Sequence, residues 1–177
     1  MKVTGKGFIL RKLRKSDAAA LQQQANNPKI AANLYDRFPS PYSLDDANFF
    51  IDLKITLEPV MNFAIEIDGE FAGLIGIDFQ SDVFAKSPLF GYWLGETYWG
   101  RGIMTEAARM FTTYAFETFD IICLQAGVFS ENVASMRVLE KAGYVKQGVL
   151  KGTVFKQDKI MDEHIYVAYP SGMLIKS

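Results

Sequence analysis

The feature that most constrains the fold of this chain is a change in the spacing of its apolar residues near Pro59. Before that point, residues 44–57 carry apolar side chains at the spacing of a helix. After it, residues 60–67 and 71–79 follow the pattern of strands, and Asp68-Gly69 between them predicts a tight hairpin turn. This part of the chain therefore predicts a helix followed by an antiparallel sheet.

The other segments extend this pattern into a mixed order of helices and strands. The further predicted elements are a strand over 7–13, a helix over 16–26, a strand over 87–94, a helix from about Arg101, a strand over 119–128, a helix over 130–142 and strands over 144–150 and 160–168. This order is not the strict alternation of a doubly wound fold, so it predicts a mixed α/β domain. We expect one domain over residues 1–177, with a short tail from about residue 170.

Composition excludes several classes of function. A chain of 177 residues that is 49% hydrophobic can bury most of its apolar surface in one core. Its net charge of −1 argues against a nucleic-acid partner bound through bulk charge. The single cysteine, Cys123, allows no internal disulfide, and its apolar neighbours predict a core position. The short apolar run Phe8–Leu10 is unlike a signal peptide or membrane span, so we expect a cytoplasmic protein without a membrane partner.

The stretch TYWGRGIMTEAARMF, residues 97–111, places two glycines on either side of Arg101 where a helix begins. Glycine at such a point serves an unusual backbone angle or a close approach to the backbone. The first turn of a helix also has unpaired N–H groups at its positive end, so Gly100 and Gly102 would let a phosphate come close. The alternative is a tight turn that needs glycine only for its angles. A dinucleotide fingerprint is not met, because Thr105 stands where its third glycine would be.

Two motifs together resemble the acyl-CoA motifs of the GNAT superfamily of N-acetyltransferases. They are GYWLGETYWGRGIMTEA over 91–107 and SENVASMRVLEKAGY over 130–144. The similarity is greatest to the branch that acetylates ribosomal-protein N-termini, although Thr97 stands where the signature has Gln or Arg. The resemblance implies a central, mostly antiparallel twisted sheet of about six or seven strands with flanking helices.

The resemblance also implies acetyl-CoA as co-substrate and a set of residues that bind it. The implied cofactor-binding residues are Gly100, Arg101, Gly102, Ile103 and Met104 at the pyrophosphate, Trp93, Leu94 and Gly95 along the pantetheine arm, Asn132 beside that arm, and Ser135 near the sulfur. Lys141 is either a further phosphate ligand or simply an exposed helix residue. Neither the resemblance nor a grouping of Cys and His residues suggests a metal.

Ser135 is the first of two predicted catalytic residues. Leu139 occupies the position where other branches of the superfamily carry a tyrosine as general acid, so the hydroxyl of Ser135 is the best remaining donor to the leaving thiolate. The alternative is that Ser135 merely follows the cap of its helix, and we expect that cap at Ser130.

Glu96 is the second predicted catalytic residue, as a proton acceptor. The glutamate proposed as base in the ribosomal-protein enzymes is replaced here by a neutral residue such as Val154. Glu96 and Asp78 each end a strand near the expected cleft, although Glu96 could merely favour the following helix and Asp78 could simply face solvent. His164, the only histidine, fits an interstrand or surface position better than a catalytic one.

The function implied is transfer of an acetyl group from acetyl-CoA to a primary amine, by direct attack on the thioester. The acceptor would be a protein N-terminus or a small amine, and Tyr35, Phe38 and Tyr42 either shape its site or pack in the core. The alternative function is a CoA-binding sensor or interaction module that has lost the chemistry. A homodimer through the last strands, common among similar proteins, is compatible with either function.

Overall fold

The computed structural model describes residues 2–171, which form one eight-stranded sheet flanked by five helices. The strands are β1 Lys2–Gly5, β2 Phe8–Lys12, β3 Asn62–Ile67, β4 Glu70–Asp78, β5 Leu89–Leu94, β6 Leu124–Phe129, β7 Val145–Lys156 and β8 Lys159–Ala168. The helices are α1 Ala18–Ala25, α2 Pro28–Ala31, α3 Leu44–Lys54, α4 Ile103–Thr118 and α5 Val133–Ala142. Within residues 2–171, no helix is both long and apolar enough to cross a membrane.

The sheet has the order β1-β2-β3-β4-β5-β6-β8-β7. All neighbouring strands are antiparallel except β5 and β6, which are parallel. The mixed fold class and the mostly antiparallel sheet are therefore confirmed. The sequence predicted about six or seven strands, and the additional one is β1, which forms a hairpin with β2.

The two faces of the sheet carry different helices. On β5, Phe90 and Leu94 point into the larger apolar cluster, which includes Phe111 of α4. Trp93, which alternates with them, packs against the smaller cluster formed with α1 and α3. Because side chains alternate along a strand, these contacts define an α4–α5 face and an α1–α3 face of the sheet.

Two predicted boundaries were wrong near the central strands. β6 begins at Leu124 and not at Phe119, so Cys123 is buried just before the strand and not within it. α5 begins at Val133 and not at Ser130. In the connection before β6, Ile121 and Cys123 are buried whereas Ile122 is 46% exposed, so this apolar run reflects partial packing and not an extended strand.

A buried ion pair joins the sheet to the first helical segment. Arg11 of β2 is only 5% exposed and donates two hydrogen bonds of 2.8 Å to the carboxylate of Asp17. Its third donor bonds the carboxylate of Glu66 on β3. Burying a guanidinium is tolerable only with such paired acceptors, so these contacts fix the start of α1 against the sheet.

Candidate active site

Strands β5 and β6 separate soon after they meet. Within residues 2–171, Leu89 and Gln125 are the one pair of residues that lie directly opposite each other in these two strands. The Gln125 N–H donates to the carbonyl of Pro88 at 3.1 Å, and beyond this point the two strands run apart. A gap therefore opens in the middle of the sheet, at the one place where neighbouring strands are parallel.

The edge of β5 presents backbone groups to this gap. The Gly95 N–H donates to the carbonyl of Ala72 on β4 at 2.7 Å. Because backbone groups alternate sides along a strand, those of Tyr92 and Leu94 point the other way, toward β6. The gap can therefore accept an extended polar chain that pairs with β5 as an added strand would.

The N-terminus of α4 lies at the end of β5 and is built on two left-handed glycines. Gly100 has φ +75° and Gly102 has φ +76°, and a Cβ at either position would meet no heavy atom within 4 Å. In the part of the chain that the structure describes, no backbone N–H from residue 102 to residue 105 donates to a backbone carbonyl. The glycines thus provide the angles that the turn needs and also leave an open row of N–H donors at the positive end of a helix.

Aromatic side chains hold the loop between β5 and α4. The indole of Trp99 donates to the carbonyl of Leu94 at 2.7 Å. The guanidinium of Arg101 lies 5.8 Å from the centre of the Tyr98 ring and is exposed to solvent. Arg101 is therefore free to turn toward an anion at the glycine turn.

Ser135 faces the gap from the first turn of α5, where its hydroxyl contacts Tyr92 of β5. The two hydroxyl oxygens are 2.8 Å apart, and the Tyr92 hydroxyl also lies 3.2 Å from the Ser135 carbonyl. Burial raises the pKa of Tyr92, more than its bond with Ser135 lowers it, so this phenol stays protonated at neutral pH. The pair can act as a proton relay in which Tyr92 donates to Ser135 and Ser135 donates onward.

The predicted cap at Ser130 was wrong, and the correction bears on Ser135. Asn132 caps α5, because its side-chain oxygen accepts the Ser135 N–H at 3.1 Å. The hydroxyl of Ser135 is therefore not used to cap the helix. Asn132 was predicted beside the cofactor, and its side-chain amide N–H groups remain able to donate.

The two candidate proton acceptors are both held by cations. Glu96 accepts a hydrogen bond from Asn27 at 2.8 Å and bonds the ammonium of Lys29, and these contacts with Lys29 and Asn27 lower its pKa. Asp78 lies 3.0 Å from Arg37 and 2.9 Å from Lys54. The structure therefore does not favour the prediction of Glu96 as base, because a paired carboxylate with a lowered pKa is a weak proton acceptor.

Several other predicted residues have structural roles. Gly95 is buried, and a Cβ there would collide with Gln24. The Trp93 ring packs against Phe38 and Phe71 on the α1–α3 face, and the backbone groups of Trp93 and Gly95 point toward β4 and not toward the gap. Tyr42 is a core residue whose pKa burial raises to about 12.

His164 and Lys141 can be located as well. His164 lies between Val128 and Val149 in the sheet, with a buried Nδ1 that has no hydrogen-bond partner. It is therefore the interstrand histidine that the sequence favoured. Lys141 is exposed in the last turn of α5.

Sequence reasoning missed two residues that the fold brings to the gap. Tyr92 was given no role from the sequence, although its place two residues after Phe90 means that the two side chains share a face of β5. Glu163 of β8 lines a cavity of about 280 Å³ on the other face, together with Tyr35, Phe129 and Val154. No local pattern in the sequence marked Glu163.

Comparisons with known proteins agree with this architecture. A model of the acetyltransferase (GNAT) domain matches residues 8–145. The probable N-acetyltransferase YjcK of Bacillus subtilis is 40% identical over 83 residues, which are 47% of this chain and 45% of YjcK. The spermidine N(1)-acetyltransferase of Escherichia coli K12 is 26% identical over 147 residues, covering 82% of this chain and 77% of that one.

The fold also matches a solved structure over nearly its whole length. The RimL ribosomal L7/L12 alpha-N-protein acetyltransferase in complex with coenzyme A superposes with a TM-score of 0.83, at 21% identity. The match covers 96% of this chain and 98% of RimL. Since the family model spans well over half of the sequence, the chain is an acyltransferase and belongs to the acetyltransferase (GNAT) family.

Proposed function

We propose that this protein transfers the acetyl group of acetyl-CoA to a primary amine. The observation that carries the proposal is the gap between β5 and β6, which opens beside the glycine-built N-terminus of α4. A nucleotide thioester needs an anion site for its pyrophosphate and a polar groove for its pantetheine arm, and these two features supply them side by side.

The residues present fit this co-substrate. The N–H groups from residue 102 to residue 105 are available to a pyrophosphate, and the Arg101 side chain can add a charged donor. The backbone groups of Tyr92 and the N–H of Leu94 are available to the amides of the pantetheine arm, whereas the Leu94 carbonyl already accepts the indole N–H of Trp99. Acetyl-CoA would supply the activated thioester, and in this proposal the hydroxyl of Ser135, which contacts Tyr92 of β5, serves the departing sulfur.

The reaction forms a C–N bond and breaks a C–S bond. The acceptor ammonium loses one proton, its nitrogen attacks the thioester carbonyl carbon, and the thiolate leaves with the electron pair of the C–S bond. The thiolate takes a proton from Ser135, which Tyr92 replenishes through their 2.8 Å contact. The attacking nitrogen loses its second proton as it becomes an amide, and this proton returns to the Ser135–Tyr92 pair, so both hydroxyls end the reaction protonated. The products are the acetylated amine, the free thiol of CoA and the proton that the ammonium released.

The first proton goes to water in this proposal, because Glu96 and Asp78 are both engaged with cations. An α-amino group with a pKa of about 8 is already partly neutral at pH 7, so it needs no strong base. Two relatives are named for acetylating spermidine and the alpha-amino group of a ribosomal protein, and a primary amine is the group common to both.

Two measurements on the wild-type protein test the proposal. Calorimetry should detect binding of acetyl-CoA, and thiol release should rise when primary amines are added. Absence of acetyl-CoA binding would sink the proposal. Binding without thiol release for any protein N-terminal peptide or small amine would instead support the alternative, a CoA-binding module that has lost the chemistry.

A further inference from the structure

We propose that the cavity formed by Tyr35, Phe129 and Glu163 receives the ammonium group of the acceptor, with Glu163 as its counter-ion. The preferred acceptor carries a single positive charge next to an apolar group. This inference rests on the proposed function, since it assigns the second substrate of the same reaction.

Two glycines open the sheet between this cavity and the gap. Leu89 lies opposite Gln125 in the parallel strands β5 and β6. Two residues further along each strand, Gly91 is therefore opposite Gly127 across the gap. A Cβ at Gly91 would meet no heavy atom within 4 Å. Both glycines belong to the α1–α3 face, because Gly91 alternates with Tyr92 on β5. The gap is therefore open toward that face, opposite the face on which α4 packs.

Glu163 stands at the rim of this opening. It is the register partner of Phe129, so it points to the same face as Phe129 and Gly127. A Cβ at Gly127 would collide with the carboxylate of Glu163. The carboxylate thus lies directly over the β6 backbone, in space that Gly127 leaves free.

The cavity beside Glu163 has the chemistry of an ammonium site. Its volume is about 280 Å³, which is enough for an amine with a small substituent. The ring centres of Tyr35 and Phe129 are 6.0 Å apart. The guanidinium of Arg37 already lies over the Tyr35 ring, 5.5 Å from its centre, so the Phe129 ring is the aromatic face left to attract a ligand cation. The Tyr35 hydroxyl donates to one Glu163 oxygen across 3.3 Å, which leaves the carboxylate with most of its capacity to accept hydrogen bonds.

The balance of charge favours an acceptor with one positive charge. Asp36 also lines the cavity, but it is paired at 2.8 Å with Lys156, whose side chain is only 8% exposed. Glu163 is therefore the one uncompensated charge among the residues lining the cavity. The rest of the lining includes the apolar side chains of Val154 and Phe155. A polyamine would bring further ammonium groups for which the cavity has no acid, whereas an amine with an apolar neighbour fills it.

The first test compares phenylalaninamide with spermidine as acceptors for the wild-type protein and Glu163→Gln. Glutamine keeps the shape of the side chain and removes its charge. We expect the wild-type protein to prefer phenylalaninamide. In Glu163→Gln, the KM for phenylalaninamide should rise at least about tenfold, while kcat stays within about threefold of the wild-type value. The KM for acetyl-CoA should not change. Asp158→Asn is the matched control, since it removes an acid from the turn of the same hairpin, where asparagine tolerates the left-handed backbone.

Gly127→Ala is an independent variant that leaves Glu163 itself in place. The added methyl group would push the flexible end of Glu163 off the strand, so we expect a higher KM for phenylalaninamide and an unchanged melting temperature. Equal KM values for wild type and Glu163→Gln would overturn the inference, as would a preference for spermidine or no turnover of phenylalaninamide. In each of these cases, retained acetyl-CoA binding with thiol release to another amine would leave the proposed function standing.

Discussion

The two sides of the gap differ in the groups that form them: mainly backbone groups on one side and side chains on the other. On the α4–α5 face, the proposed cofactor side consists of backbone N–H groups, left-handed glycines and the first turns of two helices. On the α1–α3 face, the proposed acceptor side consists of side chains from the loop after α2 and from β6, β7 and β8. The first side depends on two stretches of chain that are each short and continuous, and the second depends on side chains that tertiary packing brings together.

Because of this difference, substitutions should affect ligand recognition differently on the two sides. Backbone donors at a helix N-terminus recognise any pyrophosphate, and few substitutions other than those of glycine affect them. A cavity of side chains changes its preference with each substitution, because function depends on the site and not on the fold. Variants on the cofactor side should therefore alter affinity for acetyl-CoA or the chemical step, and leave recognition of the acceptor unchanged.

The largest effect should come from Ser135→Ala. Loss of the hydroxyl removes the donor to the thiolate, so kcat should fall about tenfold to thousandfold, with water replacing it in part. Steady-state kinetics and calorimetry should show little change in acetyl-CoA affinity, because the pyrophosphate contacts lie elsewhere. Ser130→Ala is the matched control and should retain wild-type kcat. A kcat of Ser135→Ala within about twofold of wild type would make Ser135 structural.

Gly102→Val should have the next largest effect, on binding and not on chemistry. A branched side chain would fill the open space over the N–H groups and oppose the positive φ of +76°. Calorimetry should show acetyl-CoA affinity falling at least about tenfold, which is roughly 1.4 kcal/mol.

Gly69→Val is the control that separates strain from blocking. Gly69 also has a positive φ, +88°, with open space around it, but it lies in the β3–β4 turn away from the gap. It should lower the melting temperature and leave acetyl-CoA affinity unchanged. A folded Gly102→Val protein with wild-type affinity would place the cofactor elsewhere.

Much of the fold could be predicted because apolar periodicity is a local property. The β3–β4 hairpin and α3 lie within a few residues of their predicted bounds. β1 was missed because Lys2–Gly5 is short and half exposed, so its alternation has little contrast. The start of α5 was misplaced because serine and asparagine both cap helices. The choice between them depends on where the chain turns, which a bond from the Asn132 N–H to Phe129 helps to fix.

For the site as well, features formed by residues adjacent in the sequence could be predicted, and contacts between distant residues could not. The glycine turn at Gly100 and Gly102 could be predicted, since its residues are adjacent in the sequence and their backbone requirement is physical. The contact between Tyr35 and Glu163 joins residues 128 positions apart, and no local spacing encodes it. Glu96 was a reasonable candidate base by position, but its partner Lys29 belongs to α2, 67 residues earlier in the chain, and this pairing required the structure.

A smaller effect is expected from Tyr92→Phe, which tests whether Tyr92 acts through Ser135 on the cofactor side. The variant keeps the ring and removes the hydroxyl that contacts Ser135, so kcat should fall about threefold to tenfold. Tyr92 acts through Ser135, so its loss should matter only when Ser135 is present. The double variant with Ser135→Ala should therefore be no slower than Ser135→Ala alone. Additive losses in this cycle would show that Tyr92 acts independently of Ser135.

The smallest effect should come from Glu96→Gln, which tests whether Glu96, in the loop after β5, is the base that deprotonates the acceptor amine. The bonds from Lys29 and Asn27 lower the pKa of Glu96, so the carboxylate is already ionised well below pH 6 and does not titrate in the neutral range. Any rise in kcat/KM between about pH 6 and pH 9 must then come from deprotonation of the acceptor amine.

Glutamine can keep the hydrogen bond with Asn27 but loses the ion pair with Lys29, and that pair is largely exposed to solvent and contributes little. We expect kcat within about twofold of wild type and a pH profile of kcat/KM that superposes on the wild-type profile. Lys29→Met should give the same result, because it removes the same ion pair from the other partner. A loss of more than about tenfold in Glu96→Gln alone, with the rise between pH 6 and pH 9 abolished, would identify Glu96 as the base. The acceptor would then be activated by the loop that follows β5, and the division between a backbone-built and a side-chain-built face would no longer hold.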